Sequence, residues 1–312
     1  MVHSRTQSTF WARELVKRMA LPRGTTVGAL REAAGDDIVR AGQSMMWRNG
    51  ELLHLNSSYA PTVDGDLIPD HPLEVFARGQ QLDIPLLIGT NSDEASFSKF
   101  MFQREHIRQR AAVRLLASFD EENARGVVDA YDGATNRNDF AELLADALFW
   151  APSIRIAQSH ALKNSTWMYR FSYASKALRA LGLGAMHSME LSNVFGDMNA
   201  SRASLLLRMG SAEEMDELTA LMQRHWANFI HFGRPGNDWP QYTTSASQAK
   251  SESPGVAPAH RATMTFDVPH RLDFDPRRER RKAWNDYNML EWGLGRPDIL
   301  AEIEFLLEGF RP

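Results

Sequence analysis

Two adjacent acids, Asp93 and Glu94, are the first residues of this chain whose type and position suggest chemistry. They follow an apolar run at 84–88, which has the length of a buried strand, and a Gly-Thr-Asn sequence at 89–91, which is typical of a turn. A carboxylate on the loop that leaves the C-terminal end of a buried strand lies where open α/β sheets place their active sites. The alternative is structural, because acids also favour the first turn of a helix, here one beginning near Ala95.

The elements that must position these acids alternate between helices and strands. Apolar residues at three- and four-residue steps predict helices at 10–19, 27–39 with an interruption at Gly35, 104–118, 121–131, 137–149, 213–231 and 299–310. Short apolar or alternating runs predict strands at 84–88, 167–173 and 264–267. The segment 248–260, rich in Ser, Pro and Ala, is predicted to be a loop. The helices between 104 and 149 suit a cap over a site as well as an outer layer of the fold.

Composition and charge limit the classes of protein to which this chain could belong. With 43% hydrophobic and 24% charged residues over 312 positions, the chain resembles ordinary soluble domains and is long enough for one large α/β domain or two small ones. A net charge of −4 gives no reason to expect a nucleic-acid or membrane partner. The absence of cysteine excludes thiolate catalysis. We interpret the dense basic run at 277–282 as the solvated face of a helix.

The sequence contains no positive signal for a particular cellular location. No apolar run approaches the roughly 18 residues needed to span a bilayer. The first ten residues lack the apolar core of a signal peptide. A cytoplasmic location is therefore the default expectation.

Several short motifs follow one another in a fixed order along the chain. A segment with three prolines and an Asp-Gly pair, 60–72, precedes the acid-bearing segment 84–97. A histidine segment follows, His187–Glu190 with Val-Phe-Gly at 194–196. Later motifs lie at 226–229, 233–235, 239–242, 264–267 and Trp284. In this order they resemble the type-B carboxylesterases, the family of the cholinesterases and para-nitrobenzyl esterases. The resemblance covers nearly the whole chain from about Phe10 onward.

The resemblance implies an α/β-hydrolase fold and a role for individual residues. Glu94 matches the acid of the family's catalytic triad, His187 matches its general acid and base, and Glu190 matches a family glutamate that supports the site from behind. In such a triad a serine attacks the ester carbonyl, the histidine moves its proton, and the acid orients the histidine. Ser188 stands where the family usually has glycine, which should alter the local backbone. Neither a cofactor nor a metal ion is expected.

The nucleophile that this chemistry needs has no counterpart in the sequence. No serine has glycine both two residues before and two residues after it, and no Gly-Gly pair could build an oxyanion hole. Gly42-Gln43-Ser44 is the nearest approach. We therefore expect residues 1–312 to form a single C-terminal portion of an α/β-hydrolase domain, without the N-terminal, nucleophile-bearing part. This partial fold would keep part of the sheet, helices on both its faces and a helical cap region.

Two classes of function remain open at this point. The first is a serine-type carboxylic-ester hydrolase acting on a small-molecule ester, in which this truncated chain supplies the acid and the histidine and a separately encoded N-terminal fragment is a candidate partner. The alternative is a non-catalytic, cholinesterase-like module that binds a protein, or an inactive relic. A Gly-x-Ser-x-Gly motif in the coding region upstream would favour the enzyme.

Overall fold

The structure, a computed structural model, describes residues 2–22, 24–46, 58–100, 105–197, 209, 212–248, 260–290 and 292. The chain divides into two compact units, one of residues 1–74 with 288–312 and one of residues 75–287. The expectation that residues 1–312 form a single domain portion stays a prediction. The predicted helix at 299–310 and almost all of the predicted loop at 248–260 lie outside the described residues.

The first unit is helical over most of its described part. It contains α1 (Arg5–Arg18), α2 (Val27–Glu32) and α3 (Gly35–Met46). The side chains of Ser4 and Thr26 accept backbone N–H bonds at the starts of α1 and α2, as favourable N-caps do. The helix predicted at 27–39 is therefore two helices, separated next to Gly35 as the sequence indicates, and the second of them runs on to Met46.

The second unit holds the sheet and the remaining helices, and α4 (Pro72–Ala77) crosses into it from the first. Its strands are β1 (Leu86–Asn91), β2 (Thr166–Phe171), β3 (Ala262–Phe266) and β4 (Arg271–Phe274). Its helices are α5 (Glu105–Ala117), α6 (Glu121–Asp129), α7 (Arg137–Ala145), α8 (Ala151–His160), α9 (Lys176–Ala180), α10 (Leu191–Phe195), α11 (Ala212–Phe232), α12 (Ser245–Gln248) and α13 (Arg278–Asn285). A 3-10 turn at Ser96–Phe100 and a π-helical turn at Asp146–Trp150 complete the regular structure near the site.

The sheet has the order β1-β2-β3-β4. β1 and β3 both run parallel to β2, and β4 returns antiparallel to β3. In the ranges that the structure covers, no strand pairs with the outer edge of β1. Because β1 and β2 are parallel neighbours, the loops that follow them leave the same end of the sheet.

β1 lies two residues later than predicted, at Leu86–Asn91. Residues 89–91, which the sequence favours as a turn, pair in register with residues 169–171 of β2 and extend the strand. Gly89 is placed opposite Tyr169, and a Cβ at position 89 would lie 2.3 Å from a ring carbon of that tyrosine. A glycine is therefore needed here because an aromatic ring covers the backbone.

One face of the sheet packs against α11. Side chains of β2 and β3 form a buried cluster with this helix and its C-terminal extension, with Trp167, Phe171, Met215, Leu218, Met222, Trp239, Met264 and Phe266 as its main members. Met168 and Arg170, which alternate with these residues along β2, line a second region together with Trp150 and Ile154. Helices thus cover both faces of the sheet, as predicted.

The interpretation of the basic run 277–282 as a solvated helix face holds for Arg278, Glu279 and Lys282, which are exposed, but is wrong for two of its arginines. The Arg277 side chain is only 9% exposed and forms ion pairs with Asp146 at 2.5 Å and with Glu142 at 2.6 Å. Its guanidinium also lies 4.6 Å from the centre of the Trp150 ring. Arg281 is likewise buried and pairs with Asp275 at 2.7 Å. Arg277 is removed from solvent by acids that lie far away along the chain, which the local sequence does not reveal.

Candidate active site

The loop that follows β1 carries the first predicted site residue, Glu94. Residues 92–95 form a turn directly after the strand, and Ser96–Phe100 continues it as a 3-10 helix. The Glu94 side chain is 7% exposed, and its Oε1 accepts a hydrogen bond from the Asn91 backbone N–H at 2.8 Å. The acid therefore folds back onto the strand that precedes it instead of capping a helix at Ala95.

The second predicted residue, His187, lies on the loop between α9 and α10. Its Nδ1 is 2.6 Å from Oε2 of Glu94, although 93 residues separate the two along the chain. The imidazole is 56% exposed, and the Phe149 ring lies against it with a centre-to-centre distance of 4.6 Å. Among the described residues, none forms a hydrogen bond with Nε2 of this ring. The predicted pairing of Glu94 with His187 is thus present in the structure.

The loop of His187 is fastened to the loop of Glu94 at a second place. The backbone N–H of Asp93 donates to the Ala185 carbonyl at 3.0 Å, and the Ala185 N–H donates to Asp93 Oδ2 at 3.2 Å. Gly184 has a φ of 65°, and a Cβ there would lie 2.3 Å from the Asp93 carboxyl carbon. The close approach of the two loops therefore requires glycine at this point.

Ser188 adopts a φ of 64°, in the left-handed region that favours glycine. The sequence indicated that serine in place of the family's glycine would alter the backbone here. Ser188 instead adopts the conformation that glycine favours, and this conformation is sterically unfavourable for a residue with a Cβ atom.

Glu190, the third predicted residue, lies three residues beyond His187, just before α10, and is partly buried. Its Oε2 accepts a hydrogen bond from the Asn91 side-chain amide at 2.5 Å. Burial raises the pKa of Glu190, while that amide hydrogen bond opposes the rise. The structure thus places Glu190 behind the Glu94–His187 pair, in contact with the same asparagine that binds Glu94.

The electrostatics of the site follow from these acids. The hydrogen bond to Glu94 raises the pKa of His187, burial opposes this, and the charges of Glu94 and Glu190 add to the rise. Burial, together with the same two acids, also raises the pKa of the Tyr169 hydroxyl, which keeps Tyr169 neutral beside them. A histidine whose pKa is raised in this way is a stronger base than a free imidazole.

The sequence did not indicate that two further residues, Asn91 and Phe149, belong to the site. Asn91 was interpreted as part of a turn, and Phe149 as the end of a helix at 137–149. Phe149 instead lies in the π-helical turn Asp146–Trp150, which joins α7 to α8. Such turns are frequent at functional sites, but nothing in the sequence pattern distinguishes them from ordinary helix.

Two properties of the described residues concern metal ions and membranes. Within them, no three His, Asp or Glu side chains come close enough together to hold a metal ion. Nor does any described helix have the length and apolarity that crossing a membrane would require.

Comparison with known proteins adds the family and the fold. A sequence model of the carboxylesterase family matches residues 2–262. Para-nitrobenzyl esterase of Bacillus subtilis (strain 168) is 26% identical over 259 residues, which are 81% of this chain and 48% of that protein. Liver carboxylesterase 1 of Mus musculus is 27% identical, with 80% of this chain and 49% of that protein covered. This chain therefore spans about half the length of the curated relatives it matches.

Solved structures give the same result for the fold. A para-nitrobenzyl esterase structure superposes with a TM-score of 0.66 at 22% identity, covering 91% of this chain and 55% of that one. The carboxylesterase Est55 of Geobacillus stearothermophilus superposes with a TM-score of 0.65 at 21% identity, covering 91% and 56%. The expectation of a partial α/β-hydrolase fold is confirmed by these neighbours.

Proposed function

This chain belongs to the carboxylesterase family, and from that membership we propose that it serves as the acid- and histidine-bearing part of a serine-type carboxylic-ester hydrolase. Glu94 is the acid of the triad, His187 is the general acid and base, and Glu190 supports them. The serine and the oxyanion hole come from a segment outside these 312 residues, and the substrate is a small-molecule carboxylic ester. The observation that carries the proposal is the 2.6 Å hydrogen bond between His187 Nδ1 and Glu94 Oε2.

The geometry of this pair suits the reaction. Glu94 accepts the Nδ1 proton, and this fixes the imidazole tautomer whose Nε2 is free to act as a base. Nε2 then takes the proton of the serine hydroxyl as that oxygen attacks the ester carbonyl. It later gives the proton to the departing alcohol. A water molecule then attacks the acyl-enzyme by the same steps, and the carboxylic acid product is released. The buried carboxylate stabilises the imidazolium formed in between.

Two observations support the proposal that another polypeptide segment completes the site. The chain spans about half of its relatives, and the outer edge of β1 is not paired with any described strand. Leu82 and Ile84, just before β1, are 75% and 56% exposed. An open strand edge beside exposed apolar side chains recruits other chains, and a complementing segment would cover both.

The test compares the chain alone with the chain joined by the polypeptide encoded directly upstream. Alone, we expect no stoichiometric labelling of a serine by a fluorophosphonate probe, since removing even one oxyanion donor costs on the order of 10²–10³ in rate. Together, the two should form one monodisperse species by light scattering and hydrolyse 4-nitrophenyl esters.

Variants then assign the roles. His187→Ala should abolish hydrolysis by the assembled protein, and Glu94→Gln should reduce it strongly. His231→Ala is the matched control, because His231 is an exposed histidine at the end of α11 and should leave the rate unchanged. Undiminished hydrolysis in His187→Ala would refute the assignment. If the chain is a stable monomer and hydrolyses no ester after mixing with the upstream polypeptide, the non-catalytic binding module is favoured.

A further inference from the structure

Asn91 occupies the point at which the two site loops meet. It is the last residue of β1 and is only 2% exposed. The sequence suggested nothing more for it than a turn. Its position at the C-terminal end of the strand brings it into contact with Glu94 and with Met186, the residue before His187.

Three hydrogen bonds of Asn91 reach different parts of the site. Its backbone N–H donates to Glu94 Oε1 at 2.8 Å. Its side-chain amide donates to the Met186 carbonyl at 2.6 Å and to Glu190 Oε2 at 2.5 Å. One residue therefore binds the acid, the peptide unit that precedes His187, and the neighbouring carboxylate.

We propose that Asn91 is a positioning residue, which holds the His187 loop and Glu190 against Glu94 so that the imidazole keeps its Nδ1 hydrogen bond. This inference rests on the roles proposed above for Glu94 and His187. Asn91 itself touches no reacting atom. The geometry distinguishes it from the nearby Asp93–Ala185 contacts, because those fasten the two loops without reaching either Glu94 or Glu190.

Removing the amide has two consequences, and both act on His187 in the same direction. The Met186 carbonyl loses its donor, which loosens the loop and weakens the Nδ1 bond to Glu94. Glu190 loses the hydrogen bond that opposes the effect of burial on its pKa, so it takes up a proton more readily. The negative charge that favours imidazolium then declines, and the pKa of His187 should fall.

The experiment follows the His187 imidazole by NMR in the full 312-residue chain. Its outcome therefore does not depend on whether the chain hydrolyses esters. Asn91→Leu removes both side-chain donors at similar volume. We expect it to lower the pKa of His187 by about half a unit or more and to remove the downfield resonance of the hydrogen-bonded Nδ1 proton. In a Glu190→Gln background, the effect of Asn91→Leu on the pKa should be smaller, since no carboxylate then faces the amide.

The matched control is Thr90→Val on the same strand. Thr90 is 5% exposed, and its Oγ1 has no hydrogen-bond partner among the described residues. This variant should leave the pKa of His187 and its Nδ1 proton resonance as they are in the parent chain.

The outcomes separate a role in positioning from a role in folding. A folded Asn91→Leu chain with the parent pKa and the parent Nδ1 resonance overturns the proposal. Where Asn91→Leu does not fold, Asn91→Ala provides the same readout without the larger side chain. Failure of both to fold, with Thr90→Val folded, would show that Asn91 serves the sheet and would also overturn it.

Discussion

Replacing Glu94 with Gln should lower the pKa of His187 by about one unit. Gln keeps an oxygen for the Asn91 backbone N–H but presents its amide NH2 to Nδ1, so both the charge and the acceptor that face Nδ1 are lost, and both losses lower the pKa. Two unit charges about 4 Å apart gain about 4 kcal/mol at an effective dielectric constant of about 20 and about 1 kcal/mol in water. Because the His187 side chain is 56% exposed, the lower part of this range applies, roughly 1–1.5 kcal/mol, or about one pKa unit.

The same substitution should change stability in a pH-dependent way. The folded-state pKa of His187 is raised above its unfolded value, so the pair contributes its stability fully below the unfolded pKa, about 6.5. That contribution is lost as the pH rises through the folded pKa. The difference in unfolding free energy between the parent chain and Glu94→Gln should therefore be about 1.4 kcal/mol larger at about pH 5.5 than at about pH 9.

The pKa is measured by NMR titration of the histidine C–H resonances, and the free energy by urea unfolding followed through tryptophan fluorescence. The chain has ten histidines, so the resonance of His187 is assigned by its loss in His187→Ala. Glu217→Gln, on the exposed face of α11, is the control for removing a carboxylate elsewhere. If His187 titrates at the same pH in Glu94→Gln as in the parent chain, the electrostatic reasoning is refuted.

Three further substitutions test the packing around the site by urea or thermal unfolding. Asp146→Asn should destabilise by about 3 kcal/mol, because it removes a charge partner of the buried Arg277; a loss as small as that of a surface pair would contradict this. Gly89→Ala should cost about 1–3 kcal/mol, because the new methyl group collides with the Tyr169 ring; an unchanged Tm would show that the ring moves freely. Ser188→Gly should instead stabilise by about 1 kcal/mol through relief of the left-handed φ, and destabilisation would show that the serine side chain contributes more than the strain costs.

The parts of the site that were predictable from sequence are those specified by local patterns. A strand, a break and an acid near Glu94 lie close together along the chain, and so do the residues of the His187 motif. Parallel neighbouring strands place the loops at their carboxyl ends side by side, so the pattern of elements makes the meeting of the two residues plausible. Helices with strong periodicity, such as α11 at Ala212–Phe232 against the predicted 213–231, were found within a residue or two for the same reason.

The parts that were missed depend on partners far away in sequence. Residues 89–91 have the composition of a turn and become strand only because β2 pairs with them. Arg277 belongs to a run that is typical of a solvated helix, and it is buried because Asp146 and Glu142, more than 130 residues earlier, accept its hydrogen bonds. β4 was not predicted, since its four residues alternate too briefly to stand out.

The position of the Glu94–His187 pair separates two requirements of the proposed chemistry. Both residues follow parallel strands of the same unit, and the hydrogen bond between them joins the loop after β1 to the loop between α9 and α10. The orientation of the imidazole is therefore encoded within residues 75–287, whatever polypeptide completes the site. Reactivity toward an ester depends in addition on a hydroxyl and oxyanion donors next to Nε2. It follows that the pKa of His187 should be largely set before any complementing segment binds, whereas the rate of ester hydrolysis should appear only afterwards.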